Sequence, residues 1–87
     1  MKTISLEMTR RERTLAREHG YPFKEVRAAL DAVESEPGTA SIVADSYWLE
    51  LLVGDLSRSC NDCADHQLAV ELDELCLRLE FELGLGH

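Results

Sequence analysis

Cys60, Cys63 and His66 stand at the spacing C-x2-C-x2-H, a set of soft and borderline ligands that can sit on a metal ion. A closed zinc site wants four such ligands, and the chain offers no local fourth. Cys76 lies ten positions beyond His66, about 15 Å along a helix, and His19 or His87 would have to come from elsewhere. A dithiol redox role for Cys60 and Cys63 lacks the surrounding βαβ pattern that such motifs use. The plainer reading is two small, adaptable residues in a tight turn between helices, with no metal and no cofactor. Carboxylates also come in close pairs: Asp62 with Asp65, Asp73 with Glu74, Glu80 with Glu82. Acid–base work by such pairs needs a cleft and a shifted pKa, whereas these fall at caps and helix flanks. No nucleophile–base arrangement and no phosphate-cradling glycine loop is present, so the expectation is a protein that is not an enzyme.

Charge is the stronger signal. Residues 1–28 hold seven bases (Lys2, Arg10, Arg11, Arg13, Arg17, Lys24, Arg27) against four acids, a balance of +3. Residues 29–87 hold only Arg58 and Arg78 against thirteen acids, a balance of −11, and together these give the net −8. A basic first third joined to an acidic remainder points to charged partners, unless the two parts attract each other within the fold.

The elements that must position these charges follow from periodicity and caps. At 87 residues the chain is one domain, and 45% hydrophobic content is enough for a folded core. Ile4, Leu6 and Met8 alternate with polar residues, which suits a short strand or extended arm over 2–8. Thr9 with Glu12 is a capping-box pattern for a helix through about His19, ended by a left-handed Gly20. Pro22 suits the first turn of a second helix with Phe23, Val26, Leu30 and Val33 on one face, stopped by "EPGT" at 36–39. A third helix is expected from about Ala40 to Ser59, with Ile42, Leu49, Leu52, Val53 and Leu56 on a broad apolar face, until "CNDC" breaks it. Asn61, Asp62 and Asp65 are the candidate caps of a last helix through about Leu83, terminated by Gly84 and Gly86.

The stretch "LCLRLEFELGL", residues 75–85, alternates like a strand, yet its apolar positions also fit the helix that begins before Leu68. Leu, Glu and Arg favour the helix, and β-branched residues are missing after Val70. The strand alternative pairs 77–83 with 3–8. On a helix, Leu68, Leu72, Leu75, Cys76, Leu79 and Leu83 share one face, while Val70, Leu77 and Phe81 form a second apolar stripe opposite. That stripe must pack under the N-terminal helices, which the small size of the chain favours, or face a second molecule, either a homodimer partner or another protein.

Residues 15–30, "LAREHGYPFKEVRAAL", resemble a helix-turn-helix unit, with Leu15 and Ala16 in the first helix, Gly20 at the turn and Val26 inside the second. The resemblance implies that Lys24 and Arg27 face DNA, with Arg10, Arg11 and Arg13 available for phosphate. His19, where the pattern prefers an apolar residue, and Pro22–Phe23 at the second helix's start depart from it. The same residues resemble a ubiquitin-associated domain through Gly20, Tyr21, Pro22, Ala29, Leu30 and Ala32, with "YWL" at 47–49 as its third-helix signature and an intervening loop several residues too long. Two ordinary helices joined by glycine remain the plain alternative. In overall character the chain is similar to small phage-encoded inhibitors, including the anti-CRISPR proteins, which implies stoichiometric binding with carboxylates imitating phosphate in a basic channel.

The expected fold is therefore all-α: two short helices over 1–38, after the possible N-terminal strand, packed on an acidic antiparallel helical hairpin over 39–87. The expected function is a non-catalytic regulatory binder, an inhibitor that occupies a basic nucleic-acid-binding surface on a protein or nucleoprotein target. Asp55, Glu71, Asp73, Glu74, Glu80 and Glu82 are the expected contact residues, with Tyr47 or Trp48 as aromatic anchor. The alternative is DNA binding through residues 9–30, with the hairpin as dimeriser. A start without a signal peptide and no apolar run of roughly 18 residues give the expectation of a cytoplasmic protein without a membrane partner.

Overall fold

In the structure, a computed structural model that describes residues 2–20 and 23–84, the alternation at the N-terminus produces a strand, β1 (Thr3–Met8). It is followed by α1 (Arg10–His19), α2 (Lys24–Ala32), a second strand β2 (Ala40–Asp45), α3 (Ser46–Asp62) and α4 (His66–Leu83). The domain is mostly helical but not all-α. The correction lies at residues 40–45, expected as the start of a helix. There Ile42 and Ala44 are buried while Ser41 and Val43 are exposed, a two-residue period, and the β-branched Ile42–Val43 pair suits a pleated surface. Asp45 then caps α3, its carboxylate accepting from the Tyr47 N–H at 2.8 Å.

β1 and β2 pair antiparallel, with Leu6 opposite Ile42 and Met8 opposite Ala40. A lone ribbon is marginal in water, and this one is held because its inner face joins the helical core. Leu6, Met8, Ile42 and Ala44 are buried together with Leu15, Val26 and Leu30 of the first two helices and Leu49, Leu52 and Leu56 of α3. Residues 77–83 are the end of α4, as expected, and not the strand that the alternative paired with β1; Leu72, Leu75, Cys76 and Leu79 of this helix complete the core.

α3 and α4 form the antiparallel hairpin, joined by residues 63–65. α3 continues through Asp62 rather than breaking at Cys60, and of the three candidate caps it is Asp65 that accepts from the Leu68 N–H, at 3.2 Å. Gly84, at φ 75°, ends α4 in the left-handed conformation; Gly86 lies outside the described residues. Gly20 differs from expectation, with φ −103°. What requires glycine there is space, since a Cβ would fall 2.6 Å from the Ala16 carbonyl oxygen and closer still to Leu52 Cδ1. The end of α1 thereby lies directly on α3. Phe23 is the N-cap of α2, and the helix start expected at Pro22 lies outside the described residues. Among the described residues no helix is long and apolar enough to cross a membrane.

Candidate partner-binding surface

The basic residues of α1 divide according to how the capping box aims the helix. Thr9 accepts from the Glu12 N–H at 3.1 Å, and the Glu12 carboxylate accepts from the Thr9 N–H at 2.8 Å. With the first turn set in this way, Arg13 points inward and is only 5% exposed. Its guanidinium donates to the carbonyls of Met8 (2.9 Å), Gly38 (2.8 Å) and Glu36 (2.5 Å), tying the end of β1 to the loop before β2. Arg13 is thus not available for phosphate, contrary to expectation. Five donors in a rigid fork let one arginine bond three carbonyls, two of them in the loop before β2.

Arg11 is likewise engaged, donating to both carboxylate oxygens of Glu71 on α4 at 2.9 and 3.0 Å. This hydrogen-bonded pairing holds the Glu71 carboxyl below its usual value and raises Arg11. Two turns further along α4 the polarity reverses. Arg78 donates to Glu12 at 2.6 and 2.8 Å and to the Glu7 carbonyl at 2.6 Å. Burial tends to raise the Glu12 carboxyl, but the bonds from Arg78 and Thr9 outweigh it and leave the group below its usual value. Arg17 pairs with Asp31, and Asp55 with Arg58 at 3.5 Å. The basic and acidic parts therefore do attract each other, at two specific crossings of α1 and α4. Glu71 and Asp55, expected on the binding surface, already have partners.

The remaining expected residues separate into two groups. Asp73, Glu74, Glu80 and Glu82 of α4 take part in no ion pair among the described residues, and all but the half-buried Glu80 are exposed. Arg10, Lys24 and Arg27 are exposed and also without an ion-pair partner among those residues. The stripe of Val70, Leu77 and Phe81 does not pack under the N-terminal helices. It stands outward at 42%, 59% and 78% exposure, because α1 meets α4 along the Glu71–Arg78 flank instead. The core face of α4 is already filled by α3, which leaves its opposite face in solvent.

Trp48 is half-buried, its ring 4.8 Å from Phe23 and 5.1 Å from an exposed Tyr47. Phe23 was expected on the core face of α2, and its part in this aromatic group was missed. It stands one residue ahead of the helix, as its N-cap, and is 42% exposed.

Cys60, Cys63 and His66 do not gather. Cys60 Sγ donates to the Ala69 carbonyl at 3.2 Å and Cys63 Sγ to that of Asp65 at 3.3 Å, while His66 is exposed at the start of α4. Among the described residues no three His, Cys, Asp or Glu side chains are grouped to hold a metal ion. Cys76 is buried, and burial first, with nearby Cys60 and carboxylates second, pushes its thiol up to about 11. A thiol held so high stays protonated and is a poor nucleophile.

What this arrangement offers chemically is a helix face that carries unpaired carboxylates around an exposed apolar row. Comparison with protein-family models, with curated proteins and with solved structures finds no match to the chain, which leaves the surface itself to carry the functional reading.

Proposed function

We propose that this protein is a non-catalytic regulatory binder whose α4 presses its outward face against a basic surface on another protein. The observation that carries the reading is the set of Asp73, Glu74, Glu80 and Glu82, unpaired among the described residues, beside an apolar row that the fold leaves in water. Clustered carboxylates raise the encounter rate with a basic target, and Leu77 and Phe81 supply the desolvated anchors that hold it. A target whose Lys and Arg normally grip nucleic-acid phosphate is blocked by such a face. The mode of action is then stoichiometric inhibition of the kind that small phage-encoded inhibitors, the anti-CRISPR proteins among them, suggest.

A bacterial-lysate affinity capture at low salt, with and without nuclease, tests this with the wild-type chain and the variant Asp73→Lys/Glu74→Lys/Glu80→Lys/Glu82→Lys. The expected result is a protein or ribonucleoprotein that survives nuclease, elutes as salt rises, and is absent from the variant. Equal capture by the variant contradicts the reading.

A second reading, DNA binding through residues 9–30, is favoured by the exposure of Arg10, Lys24 and Arg27 and weakened by the internal use of Arg11 and Arg13. It expects duplex binding that falls steeply with salt and is lost in Arg27→Ala. A shift assay with no duplex binding at low salt removes it.

A further inference from the structure

We infer that the outward face of α4 is shaped for one class of partner: a basic amphipathic helix from another protein, laid along Val70, Glu74, Leu77 and Phe81. This rests on the reading of α4 as a protein-binding surface and names the chemistry that fits it. The four positions are spaced 4, 3 and 4 residues apart, the a/d interval of a helix–helix seam, over about 16 Å of helix. Three of them are apolar and exposed, with Phe81 the most exposed large hydrophobic residue described. Asp73 and Glu80, seven residues apart, run down one side of the seam. The other side is the Glu71–Arg78 flank, where Arg11 and Glu12 of α1 already meet those two charges and Glu82, one turn past Arg78, has no ion-pair partner among the described residues.

Charge decides between occupants. A second copy in parallel would set Glu74 against Glu74 inside the seam, an uncompensated like-charge contact between partly desolvated carboxylates. An antiparallel copy would face Asp73 and Glu80 with the partner's Glu80 and Asp73, again like against like. Neither orientation brings a free base of α4 to the contact, because Arg78 is held by Glu12 and the Glu7 carbonyl. Pure phosphate mimicry accounts for the acids but leaves the exposed Leu77 and Phe81 without a role. A helix with Leu- or Ile-type residues in its own stripe and Lys or Arg on its flanks satisfies both features. Its bases meet Asp73, Glu74 and Glu80, and its stripe covers the apolar row. Three side chains cover far less than the roughly 800 Å² per partner of a standard interface, so the contact depends on charge as well as burial.

The test uses fluorescence anisotropy with three helical peptides of equal length: a Leu stripe with Lys flanks, the same Lys pattern with Gln replacing Leu, and the Leu stripe with Glu flanks. Wild type is expected to bind the Leu/Lys peptide about tenfold or more tighter than the Gln/Lys one, and the Leu/Glu peptide not at all. Leu77→Ser/Phe81→Ser should erase the tenfold preference with its helical circular dichroism intact, since both residues are exposed. Asp73→Lys/Glu80→Lys should lose the Leu/Lys peptide and gain the Leu/Glu one. Equal binding of the Leu/Lys and Gln/Lys peptides, unchanged by Leu77→Ser/Phe81→Ser, overturns the amphipathic helix while leaving an acidic binder standing. Failure of both basic peptides overturns the two together. Sedimentation as a dimer that Leu77→Ser/Phe81→Ser dissociates, without peptide binding, overturns the inference in favour of a second copy.

Discussion

Helices α1 and α4 carry opposite charges, and the fold treats them differently. Of the bases of α1, Arg13 is enclosed by three carbonyls, Arg11 is clamped on Glu71, and Arg17 on Asp31, which leaves Arg10 outside. On α4 the proportion is reversed. Glu71 and Arg78 are used to join the two helices, while Asp73, Glu74, Glu80 and Glu82 remain in solvent or at its edge. Charge that holds strands and loops together has its partners already, whereas the carboxylates beside exposed Leu77 and Phe81 have no ion-pair partner among the described residues. Four of the nine bases, Arg11, Arg13, Arg17 and Arg78, thus serve to join elements of the fold.

The inner and outer faces of α4 should differ most in what truncation costs. Leu79→Ala should cost about 2–5 kcal/mol in urea denaturation, because it opens a cavity in a filled core. Leu77→Ala, two residues away but outward, should fall within about 0.5 kcal/mol of wild type. Equal losses at the two positions would mean that the outer stripe is packed in solution. Next in size is Arg13→Met, which leaves three carbonyls without their donor and should cost about 2–3 kcal/mol. Arg10→Met on the same helix should cost almost nothing, and a similar loss in both would show that Arg13 is no special anchor.

Glu12→Gln removes the charge that pairs with Arg78 but keeps an oxygen to accept from the Thr9 N–H, and about 0.5–1 kcal/mol should be lost. Acidification acts on the same crossings. Glu12 and Glu71 are held below their usual values, so the stability they contribute is fully present above the ordinary carboxylate range and lost as pH falls through the lowered values. The melting temperature should be flat near neutral pH and drop on the acid side, less steeply in Arg11→Ala/Arg78→Ala; an equally steep drop in that variant would remove these pairs from the acid response. Smallest in effect is thiol reactivity. Cys60 and Cys63 should be alkylated well before Cys76 in the native chain, and all three alike in denaturant, as read by mass spectrometry.

Much of this architecture was legible because local signals agreed. Thr9 with Glu12, Asp65 and Gly84 marked helix ends, and the absence of β-branched residues after Val70 correctly made residues 75–83 a helix despite their strand-like alternation. Residues 40–45 misled because Ile42 stands seven positions before Leu49 and so also matches a helical face. Only pairing with β1, a contact between distant segments, decides for the strand. The surface was less legible for the same reason. Nothing local distinguishes Arg13, buried under Met8, Gly38 and Glu36, from the exposed Arg10, nor Glu71, clasped by Arg11, from Glu74. Burial and ion pairing are decided across the fold, whereas caps are decided within one turn.

On the proposed reading, the outward face of α4, and not the basic surface of α1 and α2, meets the partner. The most direct test is a backbone amide NMR titration of the labelled chain with the Leu/Lys helical peptide and, separately, with a DNA duplex at low salt. The expected result is that the peptide shifts amides of Val70, Asp73, Glu74, Leu77, Glu80 and Phe81 while those of Arg10, Lys24 and Arg27 stay in place, and that the duplex shifts nothing. Duplex-induced shifts centred on Arg10, Lys24 and Arg27, with α4 unmoved by the peptide, would contradict it.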